Sequence, residues 1–207
     1  GERSFSYWRS QSAARHLFAV EETALFMPHA EIIYLSGITL AILTPAARSR
    51  LFDMLAEMRE FKGTRVAFDS NFRPALWEDV ATTRATMERM WQITDIALPS
   101  IDDEMAISGL ESEAAVIDRF AGRQWDGIAI KRGVRGPVSP HIAEADMPHF
   151  PPAETVVDTT AAGDSFNAGY LAAWLKGAQD IDRMRAGHRL AARVIGAPGA
   201  IMPRDGG

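Results

Sequence analysis

Cysteine is absent from the 207-residue chain, which excludes disulfides, thiolate catalysis and any cysteine-ligated metal. Neither sign of charge dominates: 22 basic residues face 27 acidic ones, for a formal charge of -5. That balance carries no signature of nucleic-acid or anionic-membrane binding. Apolar runs fall far short of the roughly 18 residues that span a bilayer. No signal-peptide pattern opens the chain, so a cytoplasmic location is expected. Internal repeats, low-complexity tracts and heptads are also missing. What remains is, by default, the expectation of a metabolic protein.

The residues that are present describe an ordinary globular chain, 47% hydrophobic and 24% charged. Its length predicts one domain, or one with a small appendage. Arg3 to Arg9 alternate in character, with Phe5, Tyr7 and Arg9 on one side, which predicts a strand facing a ligand or partner. An edge strand with a packed Tyr and a solvated Arg fits that spacing too. Ser12 to Phe18 reads as helical, and Ile32 to Gly37 as a strand buried on both faces. Thr44-Pro45 opens a helix with a cap and a proline at its first position, with Met54 and Met58 as core filler. A strand over Thr64 to Ser70 leads into Asp69-Ser70-Asn71-Phe72-Arg73-Pro74, followed by a helix over Leu76 to Trp91. Asp95 to Pro99 is a strand, and Ser100 with three following acids begins another helix. Ala114 to Phe120 is helical, Gly127 to Gly133 a buried strand running into a loop, and Val138 to His149 a hairpin carrying two surface histidines. The last helix runs from Asp182 to Gly196. Strands alternating with helices predict an α/β fold with a mostly parallel sheet.

The most informative stretch is Val157-Asp158-Thr159-Thr160-Ala161-Ala162-Gly163-Asp164-Ser165-Phe166-Asn167-Ala168-Gly169-Tyr170. A strand is expected to end on Asp-Thr-Thr, small residues turn the chain, and an apolar-periodic helix follows through Phe166, Tyr170, Leu171, Trp174 and Leu175. Small residues at a helix start admit a ligand to backbone amides whose dipoles favour an anion. Ala161, Ala162 and Gly163 thus read as an anion cradle, and Asp164 as a carboxylate placed to accept a proton from an attacking hydroxyl. This is a phosphoryl-transfer arrangement without a Walker lysine. Ordinary helix capping explains the same residues by spacing alone.

This segment resembles the second signature of the ribokinase (PfkB) family of carbohydrate kinases, Asp-Thr-Thr-Gly-Ala-Gly-Asp, with Ala161 in place of the first glycine. That variant looks like the branch acting on 2-keto-3-deoxygluconate. The resemblance implies a ribokinase-like three-layer α/β/α domain over 1–207 with a small β lid, of which residues 1–9 supply one strand. The family's first signature has no counterpart here, and the expectation is that an N-terminal part is absent from this chain. Several further roles are implied by the likeness. Tyr7, Arg9, Asn71 and Arg73 would hold a sugar acid, an Arg fork suiting a carboxylate. Asp164 would be the base, with Ala161, Ala162 and Gly163 at the phosphoryl group. Lys131, Gly133 and Gly136, with Ser100 and His188, would form the ATP shelf. Asp103 stands where the family's Asn-x-x-Glu helps order magnesium, although the match there is poor. ATP and Mg²⁺ are the implied cofactors, 2-keto-3-deoxygluconate the implied substrate, and pairing of subunits through the lid the implied assembly. A neighbouring kinase for fructose, ribose or 5-keto-2-deoxygluconate stays open, as does a truncated homologue that no longer catalyses.

Overall fold

The computed structural model describes residues 12–17 and 29–202. The expected lid strand, with Tyr7 and Arg9, lies outside them. The chain divides into two compact units, Gly1–Ile96 and Ala97–Gly207.

In the first unit, β1 (Ile32–Ser36) pairs in parallel with β2 (Arg65–Asp69), Ile33 opposite Val66 and Leu35 opposite Phe68. α1 (Gly37–Ile42) follows β1 directly, and α2 (Pro45–Lys62) begins where the sequence puts it, the Thr44 hydroxyl accepting from the Ala47 amide at 3.3 Å. α2 ends at Gly63, whose φ of 66° is the left-handed stop that favours glycine. Met54 and Met58 are buried core residues, as expected. Three expectations fail in this unit. β1 is not buried on both faces: Tyr34 is 39% exposed, and the other four residues of the strand are only partly buried. The helix foreseen from Leu76 also starts later. Pro74–Leu76 form a 3₁₀ turn, and α3 (Val80–Ile93) begins after Asp79, whose carboxylate caps the Thr82 amide at 2.7 Å. The Thr82 hydrogen bonds hold the Asp79 carboxyl below its usual range. α3 and α2 are tied to the sheet by a fork: Arg59 donates to both oxygens of Asp95 (2.9 and 2.6 Å), and Asp95 in turn accepts the Val66 amide. Phe68 and Trp91 meet edge to face. The helix expected over Ser12 to Phe18 is, in its described part, a short 3₁₀ turn, Ala13–His16, with no buried residue.

The boundary between the units falls within β3 (Ile96–Ala97). In the second unit the Ala97 carbonyl accepts from Ala129, next to β4 (Gly127–Ile128), and Pro99 accepts from Lys131. A parallel bridge then joins Ser100 to Lys131 and brings the start of α4 (Ile101–Ser108) beside the loop after β4. α5 (Glu113–Ala121) packs on α4 through the buried Glu104, which accepts from Arg119 at 2.9 Å. Val138 to His149 does not form the expected hairpin. Val138 pairs antiparallel with Ile130, and a 3₁₀ turn at Glu144–Asp146 takes the chain on without a return strand. His141 and His149 are exposed, as foreseen.

The unit closes on two packed helices, α6 (Ala162–Leu175) and α7 (Asp180–Ile195), the latter starting two residues before the sequence suggested. Their close approach depends on two glycines. A Cβ on Gly169 would stand 2.7 Å from the Ala186 carbonyl, and one on Gly187 2.7 Å from that of Phe166. Backbone against backbone leaves no room for a methyl group. Phe166 and Tyr170 are buried as their spacing predicts, whereas Leu175 at the helix end is half exposed.

Candidate active site

The approach to α6 is a loop, not the strand expected before Asp158. It is held from within. Asp158, 4% exposed, accepts the Thr160 amide with one oxygen and the Gly199 amide with the other, both at 2.9 Å. The Val157 and Asp158 amides also donate to the Ile195 carbonyl at the end of α7. A buried carboxylate so engaged fixes where the next residues begin the helix.

Ala161 is the N-cap of α6 and has φ = 62°, a left-handed conformation that costs a residue with a Cβ roughly 1–2 kcal/mol. Its carbonyl accepts from Ser165 at 2.8 Å. The Ala162 amide is engaged as well, donating to the Thr159 carbonyl at 3.2 Å. This narrows the expected cradle. Gly163 and Asp164 in the first turn are the amides that have no carbonyl four residues back inside the helix. The Asp164 side chain is exposed at this end.

A cation completes the arrangement. Lys131 leaves the strand run after β4 and its Nζ donates to Asn167 Oδ1 at 3.2 Å; the same Nζ stands 3.9 Å from where a Cβ on Gly163 would lie. A lysine ammonium beside the amino end of a helix adds a full positive charge to the dipole. Asn167, only 1% exposed, was not singled out by the sequence reading. The signal was present in principle, since it lies one turn beyond Gly163 on the same helix face.

Lys131, Gly133, Gly136, Ala162, Gly163 and His188 all line one cleft of about 310 Å³ in the second unit. Its remaining wall is largely apolar, including Val134, Val156, Phe166, Ala192 and Ile195. A slot with an apolar wall at one end and a cation over a helix start at the other suits an amphiphilic ligand with an anionic tail. Gly133 and Gly136 both take positive φ (58° and 74°), and a Cβ on Gly136 would fall 2.5 Å from that of Phe150. Gly136 is therefore needed for packing as much as for ligand approach. His188 Nε2 donates to the Pro151 carbonyl at 2.6 Å, and Phe150 meets its ring edge-on. Ser100 does not line the cleft: its hydroxyl accepts the Asp103 amide at 3.3 Å and caps α4. Asp103 is half-buried in that first turn. Beside the cleft, partial burial pushes the Glu113 carboxyl up, but the guanidinium groups of Arg132 and Arg135 more than offset this and hold it below the usual carboxylate range.

Asn71 and Arg73 sit in the first unit, in the loop after β2. Asn71 has φ = 31°, and its amide donates to Asp69 at 3.1 Å; Arg73 Nη1 donates to the Phe72 carbonyl at 2.7 Å. Positive φ at a non-glycine is sparse and clusters where ligands bind. Among the described residues no group of three or more His, Asp or Glu side chains is placed to hold a metal ion, and no helix is long and apolar enough to cross a membrane.

Comparison with known proteins extends the resemblance over the whole chain. It is 40% identical to the 2-dehydro-3-deoxygluconokinase of Escherichia coli K12 and 41% identical to that of Dickeya dadantii, each across 99% of this chain and 68% of the relative. The fold is shared with a Salmonella enterica aminoimidazole riboside kinase solved with aminoimidazole riboside and an ATP analogue: TM-score 0.72, 25% identity, 89% of this chain and 62% of that one. The α/β arrangement is accordingly ribokinase-like. The chain spans about two thirds of the length of the proteins it matches. With the sequence profile of the pfkB family carbohydrate kinases matching residues 1–205, the chain belongs to that family.

Proposed function

We propose that this protein is an ATP-dependent kinase that phosphorylates 2-keto-3-deoxygluconate (2-dehydro-3-deoxygluconate) to its 6-phosphate. The observation that carries the reading is the meeting of the Lys131 ammonium with the first turn of α6, which also bears the exposed Asp164. Two relatives at 40–41% identity named for this activity support the choice of sugar.

In this reading the apolar wall of the cleft takes the base, and Lys131 with the Gly163 amide takes the phosphates. Asp164 accepts the proton of the sugar's primary hydroxyl as that oxygen bonds to the γ-phosphorus; the β,γ-bridging oxygen leaves with ADP. Fixed donors at the helix start need no reorganisation as charge builds up on the transferring group. Mg²⁺ supplies charge neutralisation on the phosphates when bound. Among the described residues no cluster of carboxylates is gathered to hold it, and Asp103 is the candidate, which fits an ion that keeps several waters and takes its other ligands from phosphate. Arg73 and Asn71, with Tyr7 and Arg9, are assigned to the sugar acid.

Asp164→Asn tests the assignment. Loss of a positioned base should lower kcat by ~10²–10⁴, while affinity for an ATP analogue stays within a few-fold. Wild-type turnover in that variant would remove Asp164 from the mechanism.

A further inference from the structure

We propose that Glu113, which does not line the cleft, is a positioning residue that holds the loop 131–136 in its nucleotide-binding shape by clamping two of its arginines at once. The inference rests on the reading of the cleft as the nucleotide site.

The geometry is that of a single anchor with two arms. One oxygen of Glu113 accepts from Arg132 Nη1 at 3.1 Å, and the other pairs with Arg135 Nη2 at 2.5 Å. Arg132 uses its Nε to close the loop on itself, donating to the Gly136 carbonyl at 3.2 Å. Glu113 is the first residue of α5, but capping there is done by Ser112, whose hydroxyl accepts the Ala115 amide at 3.2 Å. The carboxylate is thereby left to face the neighbouring loop.

The middle of the loop is otherwise held by two local backbone bonds, Arg135 N–H to the Arg132 carbonyl at 3.3 Å and Gly136 N–H to the Gly133 carbonyl at 3.2 Å. Its 3₁₀ turn, Gly133–Arg135, contains no buried residue, and Val134 at the tip is 82% exposed. The near end is fixed by the Lys131 backbone, paired with Pro99, and the far end by Gly136 against Phe150. Between them lie Arg132, Gly133 and Val134, all on the cleft wall. Both glycines need left-handed backbone that many other loop shapes would not require. A carboxylate that gathers Arg132 and Arg135 to one point selects the shape that supplies it, and an ordered loop binds its ligand without first losing conformational freedom. An isolated exposed ion pair would be worth little. Here Glu113 and Arg132 are each less than one quarter exposed, and two pairs share one acceptor.

Binding of β,γ-methylene-ATP by titration calorimetry on the wild type, Glu113→Ala and Glu113→Gln tests this, with steady-state kinetics and melting curves alongside. Glu144→Ala, in an exposed 3₁₀ turn, serves as control. Loss of the clamp should weaken nucleotide affinity roughly tenfold in Glu113→Ala, since small misplacements of binding groups cost up to ~10²-fold. Glu113→Gln should fall between it and the wild type, and also reports if the alanine variant does not fold. The sugar KM and kcat should stay within about twofold, and Glu144→Ala should match the wild type. Unchanged nucleotide affinity in both Glu113 variants, or parallel losses in kcat and both KM values with a lowered melting point, would overturn the clamp. A wild-type protein that binds no nucleotide would instead overturn the reading of the cleft.

Discussion

Lys131 and Asn167, 36 positions apart in sequence, are joined by a hydrogen bond of 3.2 Å from Nζ to Oδ1. Through it the strand run after β4 and the first turns of α6 present one cationic corner. Asn167 is buried, so the bond holds Lys131 toward the helix start instead of leaving it to wander in solvent.

If that ammonium steadies the phosphates in flight, Lys131→Met should lower kcat/KM for ATP by ~10²-fold, the order found when one preorganised donor is removed. Steady-state kinetics at saturating sugar would show it. A loss below threefold would mean that the helix amides alone hold the anion.

Ala161 holds left-handed backbone with a side chain that resists it. Replacing it by glycine relieves roughly 1–2 kcal/mol of strain and gives back about 0.5–1 kcal/mol through the freer unfolded chain. Ala161→Gly should therefore raise stability by about 0.5–1 kcal/mol, seen as a higher urea midpoint at unchanged slope. A lower midpoint would contradict the strain.

Glu113 supplies a pH signature. Its carboxyl is held below the ordinary glutamate value of 4.5 in the folded protein, so its contribution is fully present above that pH and is lost as pH falls through the folded value. The two arginines stay charged throughout. The difference in urea midpoint between the wild type and Glu113→Gln should be constant from pH 8 to about 5 and shrink only below about 4.5. A difference that disappeared near pH 6.5 would point to a histidine instead.

How much of this was legible beforehand depended on whether the cause was local. The turn at Ala161, the helix that follows and the glycines after Lys131 are written in short stretches of small residues, so their places could be read directly. α2 was equally plain from Thr44 and Pro45. The start of α3 was not, because Pro74 opens a 3₁₀ turn and the capping Asp79 competes with an apolar pattern that begins earlier. The exposure of Tyr34 depends on what packs over that face of the sheet, which the apolar run of β1 does not encode. Asn167 and Glu113 were missed because each acts through a partner far away in sequence. The use of the Ala162 amide by Thr159 is likewise a property of the folded turn, invisible in the letters Thr-Thr-Ala-Ala-Gly.

The central claim is tested most directly by following ADP release from ATP and Mg²⁺ with 2-keto-3-deoxygluconate, its galactonate epimer, fructose, ribose and gluconate in parallel. The account predicts turnover of the keto-deoxy acids and little of the neutral sugars. Preferential turnover of fructose or ribose, or no ADP with any of the five, would contradict it.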